Sequence, residues 1–141
     1  MVQPPKEVLA SAPEVKEGEY KCKYYTDEQW KSDLLTQAYN GFLPEHRDDM
    51  VMTWIHESGL DPNIVSPPNT NGTRDHGFCQ LNSQYHYKFI GTDAYNDPVQ
   101  QVDYCLSVYK DAVKKGRALG KVWYGWASRL KHKNKYTCNK V

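Results

Sequence analysis

Apolar residues return at helical spacing in several stretches of this chain. Trp30, Leu34, Leu35 and Ala38 share one face of a first predicted helix. Thr26-Asp27-Glu28-Gln29 opens it as a capping box, in which the Thr26 hydroxyl serves an orphan N–H and Gln29 reaches back. It stops near Gly41. Met50, Val51, Trp54 and Ile55 mark a second helix, with Pro44 in its first turn and Gly59 as C-cap. Glu57 then stands in the last turn, where the negative end of the helix dipole disfavours a carboxylate and raises its pKa. Val102, Cys105, Leu106, Tyr109 and Val113 line a third helix, capped by Asp97, begun by Pro98 and ended by Gly116. The same spacing predicts a last helix over Leu119–Leu130, with Trp123, Trp126, Ala127 and Leu130 on one side.

Between the second and third helices the pattern changes. Residues 61–74 are rich in Pro, Asn, Gly and Thr, which reads as loop and turn. Asn71-Gly72 is a hairpin dipeptide, so a small antiparallel sheet is expected around Thr70–Leu81. Residues 1–19 hold three prolines and four glutamates with little periodicity, the signature of a flexible arm. No internal repeat interrupts the remainder. One mainly helical α+β domain over residues 20–141 follows.

Composition adds a core and a charge asymmetry. Hydrophobic residues make up 39% of the 141, enough to exclude a disordered chain. The 11 Tyr and 4 Trp suit a sugar-binding cleft, and equally an ordinary core. The net charge of +1 conceals a split: nine of the 18 Lys/Arg lie between Lys114 and Val141, where there is no Asp or Glu. The first 113 residues therefore carry nine basic residues against 17 acidic ones, a net of −8. A basic segment of this kind fits an anionic polymer, bacterial cell wall or nucleic acid, or else a solvated surface. No apolar run approaches the roughly 20 residues of a membrane span, and the N-terminus has no signal-peptide core.

Four cysteines leave three full pairings open. If a disulfide forms, Cys22 and Cys138, near opposite ends of the folded segment, are expected to staple the termini. Cys79 and Cys105 then remain as core thiols or a second pair. His56, Glu57, His76 and Cys79 lack the spacing of a zinc site, and Asp93–Asp97 is too short for a calcium loop, so no metal or cofactor is expected. There is no glycine-rich phosphate loop. Two carboxylates stand out instead. Glu57 at a helix end and Asp75 at a sheet edge can face each other across a cleft, the equipment for acid-assisted glycosidic cleavage. On spacing alone, Glu57 also fits a solvent-facing glutamate, and Asp75 a turn aspartate.

Three blocks carry a family resemblance. Glu57-Ser58-Gly59-Leu60-Asp61-Pro62-Asn63 resembles the catalytic Glu-Ser motif of Slt-type lytic transglycosylases. Asn69-Thr70-Asn71-Gly72-Thr73-Arg74-Asp75-His76-Gly77-Phe78-Cys79-Gln80-Leu81-Asn82-Ser83 is similar to the active-site hairpin of C-type lysozymes. Trp123-Tyr124-Gly125-Trp126 followed by Arg129 resembles the lysozyme Trp-x-x-Trp-x-x-Arg helix. The blocks come in family order and cover roughly residues 44–130. They imply a lysozyme-like fold, with Glu57 as general acid and Asp75 as the catalytic aspartate. They further imply Gln80, Asn82, Trp123 and Trp126 as substrate contacts, with Trp123 packing against the acid. The cysteines depart from the C-type pattern, Cys79 standing where that family has an aliphatic residue. Ala94-Tyr95-Asn96 precedes the third helix instead of following it, unlike the Slt-type motif.

The expectation is therefore a peptidoglycan muramidase, cutting the β-1,4 bond between N-acetylmuramic acid and N-acetylglucosamine. It would be monomeric, with glycan strands as its partner and neither nucleic acid nor membrane span. It would act outside the cytoplasm or as part of a virion. A lytic transglycosylase with Glu57 as sole acid and base is the first alternative. A non-catalytic wall-binding module on the same fold is the second, and a nucleic-acid binder using the basic segment the third.

Overall fold

The computed structural model describes residues 14–26 and 28–141, with the Tyr124 side chain left aside. A first strand, β1 (Tyr20–Tyr24), pairs antiparallel with the last, β4 (Tyr136–Lys140), and Cys22 stands opposite Cys138. The two are disulfide-bonded with Cα atoms 4.0 Å apart, the terminal staple expected. Tyr-Lys-Cys-Lys-Tyr alternates as a half-buried strand must: Cys22 and Tyr24 point in, Lys21 and Lys23 out. The free edge of β1 is closed by polar side chains. Tyr20, Cys22 and Tyr24 donate their N–H groups to Asn40 Oδ1, Thr36 Oγ1 and Ser32 Oγ at 2.8–2.9 Å. These acceptors recur every four residues on helix α1 (Gln29–Gly41), which is why Ser32 and Thr36 are buried.

The capping box expected at Thr26 is not made. The helix begins at Gln29 with Glu28 as N-cap, and Thr26 Oγ1 accepts from the Glu28 N–H at 3.1 Å in a short turn leaving β1. Asp27 lies outside the described residues, as do residues 1–13 of the expected arm. Of the arm's remainder, Gly18 and Glu19 are tied by backbone hydrogen bonds to Val141.

After a single 3₁₀ turn (Pro44–His46), helix α2 (Arg47–Ser58) buries Met50, Val51, Trp54 and Ile55 as read from the sequence. Gly59 ends it at φ 61°, a left-handed C-cap that returns its N–H to Ile55 O at 2.8 Å. Lys31, buried on α1, donates Nζ to Gly59 O at 3.0 Å and pairs with Glu28 at 3.3 Å. A cation thus sits at the negative end of α2.

The expected sheet is present but shorter. Strand β2 (Asp75–His76) pairs with β3 (Leu81–Asn82), Asp75 opposite Asn82. The Asn71-Gly72 turn joins β2 to the preceding limb, where Ser66 N donates to Asp75 O and Val65 bridges His76. A helix not foreseen, α3 (Ser83–Ile90), follows directly, capped by Asn82 and kinked at His86. Helix α4 (Pro98–Lys114) opens on Asp97 and Pro98 as expected and buries Val102, Cys105, Leu106 and Tyr109, with Val113 only half-buried. Its Cys105 is bonded to Cys79, so the remaining cysteines form a second disulfide.

The final helix predicted over Leu119–Leu130 is replaced by three pieces. A four-residue helix α5 (Leu119–Val122) ends at Trp123, which is extended, and Tyr124–His132 is a 3₁₀ helix. Three residues per turn put Trp126, Arg129 and His132 in one row. Arg129 meets Asp49 at 3.0 Å and His132 meets His56 at 3.0 Å, both on α2. Ala127 and Leu130, expected on a buried side, are exposed. The fold is mainly helical, with two small antiparallel sheets. Among the described residues no helix is long and apolar enough to cross a membrane.

Candidate functional site

A cleft of about 1020 Å³ runs between α2, the β2–β3 hairpin, α4 and α5. Glu57 and Asp75 both line it, together with Gln80, Asn82 and Trp123. The two carboxyls reach it from different supports. Glu57 hangs from the last turn of α2 and is half-buried. Burial pushes its pKa up, since a charged carboxylate loses hydration there. The Gly125 N–H and His56 pull it down, and Asp75 adds a smaller push upward. Desolvation is the largest cause of the raised value.

Gly125 N–H donates to Glu57 Oε1 at 2.5 Å, fixing which way the carboxyl faces. It belongs to the first turn of the 3₁₀ helix, whose N–H groups have no partner within the helix. A side chain is not tolerated at this position. A Cβ on Gly125 would sit 3.0 Å from Glu57 Oε1 and 3.0 Å from Thr53 O. Sequence reading missed Gly125, because its role is a backbone contact across 68 residues.

Asp75 is also half-buried, among amide donors. Its Oδ1 accepts from Asn82 Nδ2 at 3.1 Å and its Oδ2 from Asn69 Nδ2 at 3.4 Å. Its N–H donates to Ser66 Oγ at 2.9 Å. Asn82, expected as a saccharide contact, is committed to the protein. Its Nδ2 also donates to Thr73 Oγ1, and its Oδ1 accepts from Gln84 N at the start of α3. Its place opposite Asp75 makes it an orienting residue. Gln80 lines the cleft from a left-handed backbone (φ 56°) and donates Nε2 to Gly77 O. Among the described residues nothing donates to its amide oxygen.

Trp123 is 4% exposed and lines the cleft that holds Glu57. Its Nε1 donates to Cys79 O at 2.9 Å, and its ring stands edge-on to Trp54 at 5.7 Å. Trp126, expected as a substrate contact, is not among the lining residues. Its ring packs on Gly120 and carries the Arg129 guanidinium at 4.3 Å, so it supports the Arg129–Asp49 pair.

Two buried polar residues hold the hairpin against the helices. Ser58 Oγ donates to Phe78 O at 2.5 Å. Gln101 accepts from Phe78 N–H at 2.7 Å and donates to Pro62 O and Tyr95 O. In sequence, Gln101 reads as one more polar residue of a helix beginning. Only its 1% exposure marks it. Among the described residues no cluster of His, Cys, Asp and Glu gathers to hold a metal.

In comparison with known proteins, the chain matches no protein-family model and no curated protein sequence.

Proposed function

We propose that this chain is a muramidase that cuts the β-1,4 bond between N-acetylmuramic acid and N-acetylglucosamine in peptidoglycan, outside the cytoplasm. The observation that carries the reading is the pair of carboxyls lining one cleft. Glu57 is desolvated and pushed toward its protonated form; Asp75 is held in place by the amides of Asn82 and Asn69. A glycosidase of this kind works with two carboxyls flanking one bond, one of them giving a proton. Glu57 protonates the leaving oxygen, and Gly125 N–H receives the carboxylate that results. Asp75 stabilises the oxocarbenium-like sugar or acts as nucleophile or base, with Asn82 and Asn69 keeping it in place. The likeness of residues 57–63, 69–83 and 123–129 to lysozyme and transglycosylase motifs supports the same substrate. The chemistry calls for no cofactor.

Digesting purified peptidoglycan and weighing the released muropeptides tests this. Hydrolysis leaves a reducing sugar. A dominant 1,6-anhydro product, lighter by one water, would assign the reaction to Glu57 acting alone as acid and base, with Asp75 positioning the glycan. Glu57→Gln keeps the shape but has no proton to give, so lysis should disappear while the fold remains. Clearing of a cell-wall suspension at the wild-type rate by that variant would end the enzymatic reading.

A further inference from the structure

The carboxyl pair occupies only part of the cleft; its far half is the stretch lined by helices α4 and α5. At about 1020 Å³ the whole lies at the upper limit for small-molecule sites, and it continues well past Glu57 along helix α4. Tyr104, Val108 and Ala112 follow one another at four-residue spacing on that helix and line the cleft beside the core stripe of Val102, Cys105, Leu106 and Tyr109, Ala112 being itself buried in the core. Val122 of α5 also lines this far half. The floor there joins the aliphatic Val108, Ala112 and Val122 to the rings of Tyr85, His86 and Tyr104.

The rim is cationic. Arg117 and Lys121 line the far half and are exposed. Among the described residues neither has an acidic partner. Asp111 lines it too, but is already paired with Lys115 at 3.0 Å. An occupant must therefore combine small aliphatic groups for the floor with negative charge for the rim. A peptide-free glycan brings only its lactyl carboxylates and methyl groups, fewer of both than a strand bearing peptides, and a nucleic acid lacks the aliphatic part.

Resting on the muramidase reading, we propose that this far half binds the peptide branch carried by the glycan strand: a short extended peptide of small aliphatic residues with free carboxylates. Its carboxylates sit between Arg117 and Lys121, and its side chains lie on Val108 and Ala112. The cleft then reads the branch as well as the bond, and favours strands that still bear peptides.

The Glu57→Gln variant allows binding to be measured without turnover. Three ligands are compared by calorimetry: a disaccharide bearing a peptide with free carboxylates, the same ligand with its carboxylates amidated, and the peptide-free disaccharide. The free acid should bind about tenfold more tightly than the amidated form at low salt, with the gap closing as ionic strength rises. Adding Arg117→Gln and Lys121→Gln should remove the gap, whereas Arg117→Lys and Lys121→Arg should retain it. Both positions are exposed, and the Arg117 contact that ends α4 is made by its backbone N–H, so the fold is spared. Equal affinity for the acid and amidated ligands would overturn the proposal, as would a gap that survives the double glutamine variant. Displacement of the free acid by a single-stranded oligonucleotide at equal concentration would overturn the peptide assignment in favour of a general polyanion. Turnover tells the two readings apart. If the wild-type chain cuts neither intact nor peptide-stripped glycan, the muramidase reading falls, and the calorimetric comparison still decides whether the anion site exists.

Discussion

Removing the two disulfides one at a time separates what holds the chain together from what holds the site. The Cys22–Cys138 bond closes a loop of 116 residues and Cys79–Cys105 one of 26. Chain entropy assigns them about 4.9 and about 3.5 kcal/mol respectively, through the restriction each imposes on the unfolded chain. Cys79 and Cys105 are fully buried, so the double alanine variant also opens a cavity costing about 1–2 kcal/mol. The two totals are therefore similar, and each is a large share of a typical domain stability of about 5–15 kcal/mol. Each double variant should melt roughly 10–20 °C lower. Function should divide them. Cys22 and Cys138 join β1 to β4, and neither lines the cleft. Cys79 lies next to Gln80 and accepts the Trp123 Nε1 hydrogen bond. Cys22→Ala/Cys138→Ala should keep wild-type lysis per folded molecule at 20 °C (about 293 K, well below the lowered midpoint). Cys79→Ala/Cys105→Ala should lose lysis as well as stability. Thermal denaturation by circular dichroism, paired with turbidity assays on cell walls, measures both quantities. Non-reducing peptide maps that join Cys22 to Cys79 or Cys105 would refute the premise; equal loss of lysis in the two variants would refute the argument.

Three further outcomes follow from the site. Trp123→Ala should shift the alkaline limb of the lysis profile to lower pH, because water then reaches Glu57 and the burial that raises its pKa is relieved; an unmoved limb in a folded variant would show that Trp123 does not shield the acid. Gln101→Leu keeps most of the volume but strands the Phe78 N–H and the Pro62 and Tyr95 carbonyls, so denaturant titration should show a loss of about 3 kcal/mol or more. Glu57 binds its proton more tightly when folded, so its contribution to stability is present below its ordinary pKa of 4.5 and is lost as pH rises through the raised value. Glu57→Gln should accordingly gain stability relative to wild type across that window, and a constant difference from pH 4 to pH 8 (about the range over which such a group titrates) would contradict the burial argument.

The sequence pattern was most informative where local periodicity and capping agree. Helices α1, α2 and α4 show apolar residues every three or four positions, and two of them have Gly59 or Asp97-Pro98 at the boundary. Glu57 and Asp75 could be placed because one lies on such a helix and the other beside a turn dipeptide. The terminal sheet was harder. Tyr20–Tyr24 is only five residues long, and its partner lies at the other end of the chain. Residues 119–130 were misread because Trp123, Trp126, Ala127 and Leu130 fit α-helical spacing, while the packed row (Trp126, Arg129 and His132) follows the tighter 3₁₀ repeat. The cleft-lining positions of α4 escaped notice because alanine and valine beside serine and aspartate give little amphipathic contrast.

The hairpin beneath Asp75 illustrates how much of the site depends on distant residues. Its strands are two residues each, a pairing too short to be stable alone. Its position must be imposed from outside, and the contacts that do so come from three different parts of the chain. From α2, Ser58 takes Phe78 O; from α4, Gln101 takes Phe78 N–H and Cys105 bonds Cys79; from the chain after α5, Trp123 takes Cys79 O. Both backbone polar groups of Phe78 are thereby satisfied by buried side chains, and the two residues following Cys79 cannot slide. Register is what this protects. A shift of one residue along so short a strand would turn Asn82 away from Asp75 and free the carboxylate. Ser58 also belongs to the helix turn that carries Glu57, so a single hydroxyl links the support of the acid to the support of its partner. The two carboxyls are 18 positions apart in sequence. Their common cleft is fixed less by the loop between them than by these buried ties.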